Sequence, residues 1–334
     1  MKRMFTFAAV AALMLTSCKP TPPVENKDKV VTGLITEDTY WYADTAYEMA
    51  GKVVVEEGAT LFIEAGTTIK SRDGQGSLST ALIVAQGGKI EAVGTADAPI
   101  VFTSIYDNGT NLDETDMGLW GGIVILGNAP ISADATPSHI EGIPADDSFG
   151  AYGGNDASDN SGTLKYVSIR HAGTLLGDGN ELNGLTLGGV GSGTVIDQIE
   201  VVGNLDDGIE FFGGTVDASN LLVWAQGDDA FDIDQAYAGT ISNYVNVEGS
   251  DSDHALEIDG PEGTYEDSFV MENGILISTD GVEVHIRDGA EGVVSFEGTA
   301  NVVADSGTNV AVTILQDVVM PDFSWTFTYA QGAL

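Results

Sequence analysis

The strongest constraint on this chain is a short phrase written five times between Asn180 and Arg287. It reads Asn183-Gly-Leu-Thr-Leu-Gly, Asp207-Gly-Ile-Glu-Phe-Phe, Asp229-Ala-Phe-Asp-Ile-Asp, His254-Ala-Leu-Glu-Ile-Asp and Asp280-Gly-Val-Glu-Val-His. Each copy sets a polar and a small residue ahead of alternating apolar and polar positions, the period of a short strand. The starts lie 24, 22, 25 and 26 residues apart. A strand recurring at that interval is one turn of a solenoid, because a single turn cannot bury its own apolar side and must stack on the next.

Aligning the copies sorts their side chains into files. Ile209, Phe231, Leu256 and Val282 form one inward file, and Phe211, Ile233, Ile258 and Val284 another. Between them Glu210, Asp232, Glu257 and Glu283 face outward, followed by Phe212, Asp234, Asp259 and His285. Ahead of the strands stand Asp207, Asp229, Asp253 and His254, with Asp206, Asp228 and Asp251 just before them. Charges stacked at a strand spacing of roughly 4.8 Å repel by about 3–4 kcal/mol at an effective dielectric near 20. Such a ladder needs water, raised pKa values or a bound cation. Calcium (Ca2+) is the natural ion for many hard oxygen ligands in loose geometry, and the expected ligands are the ten carboxylates named here from Asp206 to Glu257, with Asp259. A plain solvated acidic face is the competing reading.

The other strands follow a second rule. Gly162-Thr163, Gly193-Thr194, Gly214-Thr215 and Gly239-Thr240 each open a strand, so every turn carries a Gly-Thr strand as well as the acidic one. Further turns start at Lys52, Ala81 and Gly118, and no helical period is present. The expected fold is all-β: a right-handed, single-stranded parallel β-helix of about ten to twelve turns. Thr36 to Ala50 is expected to cover its open end. Two insertions break the rhythm. Tyr106 to Gly118 carries Asp107, Asp113, Glu114 and Asp116, and Ala133 to Gly162 carries Asp146, Asp147, Asp156 and Asp159. The side on which they emerge is not readable.

The start of the chain reads as a secretion signal over residues 1–17: Lys2 and Arg3, an apolar run from Phe5 to Leu15, then Leu15-Thr-Ser-Cys18. That tetrapeptide resembles the lipobox of bacterial lipoproteins, which implies acylation of Cys18 and a lipid-anchored place in the bacterial outer membrane. Cys18 is the only cysteine, so no internal disulfide forms. Residues 18–33 are expected to be a lipidated tether, and 34–334 one β-helix domain. Loss of Lys2 and Arg3 takes the net charge from −39 to −41, which disfavours nucleic acid and anionic headgroups as partners. Cations, neutral glycans and envelope proteins remain, and the chain is expected to be monomeric.

Two resemblances sharpen this picture. Val54-Val-Glu-Glu-Gly-Ala-Thr-Leu-Phe-Ile-Glu-Ala-Gly-Thr-Thr-Ile, Ala98-Pro-Ile-Val-Phe-Thr-Ser, Trp120-Gly-Gly-Ile-Val-Ile-Leu-Gly-Asn-Ala-Pro-Ile, Glu181-Leu-Asn-Gly-Leu-Thr-Leu-Gly-Gly-Val-Gly-Ser-Gly-Thr and the closing Phe323-Ser-Trp-Thr-Phe-Thr-Tyr are similar to a family of β-helix lipoproteins of Bacteroidota. That likeness implies the fold and the envelope, and no activity. Asp207-Gly208, Asp228-Asp229, His254-Ala255 and Arg287 resemble the Asn-Thr-Asp-Gly, Asp-Asp, Gly-His-Gly and Arg-x-Lys motifs of polygalacturonases. The likeness implies an inverting glycoside hydrolase with Asp229 as acid, Asp207 and Asp228 activating water, and His254 tuning the acid. The chain departs from it: Asn204 is one residue too far from Asp207, Asp253 replaces a glycine, and Asp288 follows Arg287.

A non-catalytic surface module with an acidic cation-binding face, handling glycans, is therefore the favoured reading, with the hydrolase as alternative. Phe212 is the expected sugar-stacking ring, because its file is otherwise polar; Trp224 fits platform and core equally. Soft metals are disfavoured by the scatter of His139, His171, His254 and His285. Lyase chemistry is disfavoured because only Lys165, Arg170 and Arg287 supply bases in this region.

Overall fold

The structure, a computed structural model, describes residues 28–141, 143, 147–174 and 182–334. The expected signal segment, Cys18 and most of the expected tether lie outside these residues. Twenty-two strands join in one continuous sheet, every named pairing within it parallel, and the chain coils as a three-sided β-helix.

The Gly-Thr strands make two of the sides. Each is long and bent in the middle, as in Gly162–Arg170, Val195–Val202, Ala218–Trp224 and Thr240–Val247. The bend is a left-handed residue at the same level in each turn: Tyr166, Gln198, Asn220, Asn243 and Asn273, with φ between 51° and 59°. Asparagine tolerates that conformation better than most residues. Here it also links the turns, since Asn243 Nδ2 donates to Asn220 Oδ1 (3.2 Å) and Asn220 Nδ2 to Asp197 Oδ1 (2.7 Å).

The third side holds the recurrent phrase. Its strands include Ala81–Val84, Gly122–Leu126, Leu185–Gly188, Ile209–Phe212, Phe231–Asp234, Leu256–Ile258 and Val282–Ile286, each hydrogen-bonded to the next. The small residue of the phrase is explained by crowding: a Cβ on Gly208 would come within 2.4 Å of Val223 Cγ1. Inward residues of all three sides, among them Ile209, Phe211, Phe231, Ile233, Leu256 and Ile258, merge into one apolar core. Burial of that continuous ladder is the main term holding the coil together.

Three expectations need correction. Thr36 to Ala50 is not a separate cap: Thr39–Trp41 and Ala46–Val55 are ordinary rungs. The tether cannot reach residue 33, because the first strand is Asp28–Ile35. The fifth phrase sits two residues out of register, because Leu256 pairs with Val284, Glu257 with His285 and Ile258 with Ile286. The loop before it is longer, and the sheet aligns apolar with apolar rather than motif with motif.

The outer face of the third side changes character along its length. One file runs Val54, Ile83, Val124, Thr186, Glu210, Asp232, Glu257, His285 and Val303. Its apolar start is covered by Ile131 and by the second insertion, whose Ile140, Ile143 and Tyr152 pack with it on Val54, Ile83, Val124 and Leu126. A small antiparallel ribbon, Ser138–His139 with Ala151–Tyr152, stiffens that flap. The first insertion docks elsewhere, through His171 Nδ1–H to Asp116 O (2.8 Å) and Gly118 N–H to Ala172 O (2.8 Å).

The C-terminus folds back along the coil. Phe323 packs with Val202, Leu222 and Trp224, and the short helix Phe327–Gln331 lies against them. Glu200, fully buried, receives Thr328 N–H (2.7 Å), Thr328 Oγ1–H (2.8 Å) and Ser168 Oγ–H (2.5 Å). Among the described residues no helix is long and apolar enough to cross a membrane.

Candidate functional site

Two neighbouring files of polar side chains lie where the apolar flap ends. The residues ahead of the strands, Asn183, Asp207, Asp229 and His254, form the first and are all buried. Thr186, Glu210, Asp232, Glu257 and His285 form the second.

The first file is a chain of side-chain-to-backbone bonds between turns. Asp207 Oδ1 accepts the N–H of Asp229 at 2.9 Å, and Asp229 Oδ1 accepts the N–H of His254 at 3.0 Å. Asp229 Oδ1 also accepts His254 Nδ1–H at 2.6 Å. Asp229 is 1% exposed. Asn204 Nδ2 donates to Asp207 O at 2.6 Å and steadies the same corner.

The second file meets the first in clusters. Oxygens of Asp207, Glu210 and Asp232 all lie within 4.8 Å of one another, as do those of Asp206, Asp207 and Asp228. Asn183 Nδ2 donates to Glu210 Oε2. Further on, ligand atoms of Asp229, His254 and Glu257 converge in the same way, and so do those of His254, Glu283 and His285. The residues fit a cation chemically: the acidic clusters offer hard oxygens, and Asp232 Oδ1 is buried without a hydrogen-bond partner.

Electrostatics follows from burial without countercharge. Burial first, then Asp206 and Asp229, push the Asp207 carboxyl far above the usual carboxylate range. Burial, then Asp232 and Asp207, do the same to Glu210, with Glu141 of the insertion adding to it. Burial and then Asp207 raise Asp232. Asp229 is raised to about 8 by burial, then Asp232 and Asp228. Asp234 is raised to about 7 by burial, then Glu262.

The remaining expected ligands and site residues are scattered. Asp234, Asp259 and Asp288 line a separate cleft of about 380 Å³ with Glu262. Asp228, Asp251 and Asp253 are exposed, and Asp251 joins none of the clusters. Arg287 pairs with Glu257 and donates from NH2 to His285 Nδ1 at 3.0 Å, so it is held by the protein's own groups. His285 does not follow Asp259 in its file, as the alignment of the copies places it, but Glu257; its Nε2 faces Glu283 Oε2 at 3.1 Å.

Phe212 is not an open platform. It is 7% exposed, packed in the second apolar cluster with its ring 6.0 Å from that of Tyr152. The flap that covers Val124 and Leu126 extends over it. Trp224 is likewise covered, beneath the C-terminal segment. The residues the sequence did not single out are Asn183 as a partner of Glu210, Glu283 as a neighbour of His285, and Glu141 beside the acidic file. Asn183 opens the first copy of the phrase, which was the available signal.

A family model described as "Pectate-lyase like beta helix domain" matches residues 33–317. Searches of curated proteins and of solved structures return no match. With the match spanning most of the chain and a parallel β-helix beneath it, the chain belongs to the family of pectate-lyase-like β-helix domains.

Proposed function

We propose that the chain is a non-catalytic binding module of the cell envelope, anchored by lipid on Cys18, whose acidic file takes up a divalent cation, calcium first. The observation that carries this reading is the convergence of Asp207, Glu210 and Asp232 without a positive side chain among them. A hard cation there relieves the mutual repulsion and the cost of burying charge together. Glu210 and Asp232 would be its principal ligands, with Asp207 contributing the oxygen not used by Asp229 N–H.

Such an ion serves the fold and the surface at once. It ties successive turns on the one side where outward residues are neither apolar nor freely solvated. The exposed acids beside it, Asp228 and Asp253, then present a fixed surface to a glycan or envelope partner.

Hydrolysis on the same residues has one observation in its favour: an acid raised to about 8, as at Asp229, stays protonated at neutral pH. Its position opposes that role, because a carboxyl that is 1% exposed and already bonded to His254 does not reach a glycosidic oxygen. The deciding experiment is a panel of charged and neutral polysaccharides, scored for reducing ends and unsaturated products and for binding, with and without calcium. Glycan retention without turnover supports the module; turnover abolished by Asp229→Asn overturns it.

A further inference from the structure

We propose a second metal site, for a first-row divalent transition ion of the zinc type, held by His254, Glu283 and His285. It is independent of the oxygen-only calcium cluster and differs from it in chemistry. The fold creates it through the register of the last phrase: because Glu257 pairs with His285, the imidazole comes to lie beside His254. The ring centroids are 3.8 Å apart, and ligand atoms of His254, Glu283 and His285 lie within 4.8 Å of one another.

His254 is prepared as a ligand. Its Nδ1 lies 2.6 Å from Asp229 Oδ1, and with the proton of that bond on Nδ1 the lone pair is on Nε2. A hydrogen-bond acceptor behind the far nitrogen is the usual support for a metal-bound imidazole, and a cation on Nε2 favours the ionised form of Asp229. The side chain is 8% exposed, and Nε2 makes no hydrogen bond among the described residues; Asp253 Oδ1 stands 3.7 Å off. Nε2 thus has Asp253 as its nearest acidic neighbour and is available to the cluster.

The other two ligands are more open and able to close on an ion. Glu283 is half exposed, and His285 Nε2 now shares its proton with Glu283 Oε2. A metal entering between them takes the place of that proton, which moves to Nδ1, while Arg287 turns wholly to Glu257, already its partner. No net proton is released by His285 in this exchange. Tetrahedral ligands with bonds of ~2 Å stand roughly 3.4 Å apart, so the side chains need close by about 1 Å. Two imidazoles and a carboxylate suit zinc, cobalt or nickel and do not suit calcium. The fourth position falls to water or to Asp253.

The test is a zinc titration of the full chain by calorimetry in excess calcium, with cobalt as a spectroscopic stand-in. One zinc per chain is expected, and cobalt should develop the visible absorption of a low-coordinate nitrogen–oxygen site. His285→Ala and Glu283→Gln should each weaken zinc at least tenfold, and Asp229→Asn by about 10–100-fold. Glu210→Gln, in the calcium cluster, should leave zinc binding unchanged. Glu283→Gln alters a half-exposed side chain, so it decides the matter even where His285→Ala is unstable. Absence of zinc uptake, or uptake unaffected by Glu283→Gln, overturns the site; loss of calcium uptake alone bears only on the proposed cation module.

Discussion

Asp229 grips His254 twice across one turn of the coil, taking its backbone N–H at 3.0 Å and its ring Nδ1–H at 2.6 Å. A buried carboxyl in that position is part of the scaffold. Asp229→Ala leaves both donors unpaired, which costs about 1–3 kcal/mol for each buried group so stranded. Urea unfolding should show a lowered midpoint with little change in slope. An unchanged midpoint would mean that Asp229 is not holding the turn.

The pH dependence has a definite sign. Asp207, Glu210, Asp229, Asp232 and Asp234 all have pKa values above the ordinary value of roughly 4. Between those limits the unfolded chain binds fewer protons than the folded one, so stability falls as pH rises. The favourable contribution is complete below about pH 4 and is lost through about 7 for Asp234 and about 8 for Asp229. Melts in EDTA should therefore drop from pH 5 to pH 8.5. A melting temperature that climbs over that range contradicts the buried acid file.

Phe212 separates core from platform. As a packed ring beneath the flap, its replacement by alanine should cost about 3–5 kcal/mol and loosen Tyr152. Near-infrared or fluorescence probes are unnecessary; a denaturant curve suffices. A cost near zero would mean the ring is free.

Glu200 governs the C-terminal latch. Glu200→Ala removes the acceptor of Thr328 N–H and Oγ1–H and should speed hydrogen exchange over residues 323–331, leaving the core of the coil protected. Exchange that rises equally everywhere would show a general loss of fold instead.

Much of this was legible beforehand, for reasons that particular residues make plain. Ile209, Phe231 and Leu256 repeat at fixed places in the phrase, and stacking follows directly from that repetition. Alternation alone puts Glu210, Asp232 and Glu257 in one outward file, and the sheet pairs them so. Outward, however, did not mean solvated. Period-2 patterning says which side of a strand a residue takes, and says nothing of what lies on it. The flap of Ile140, Ile143 and Tyr152 comes from a long insertion without a period of its own, so its covering of Phe212 is not readable from the sequence. The slip of His285 arose similarly. An Asp-Gly motif marks a turn, while pairing obeys the apolar residues Val284 and Ile286.

The most direct measurement of the cation claim is a calcium titration at neutral pH, read by calorimetry and by melting, on the full chain and on Glu210→Gln. Saturable uptake that raises the melting temperature, and that Glu210→Gln weakens at least tenfold, is the predicted result. A melting temperature indifferent to calcium and EDTA, with no heat of binding, would contradict it.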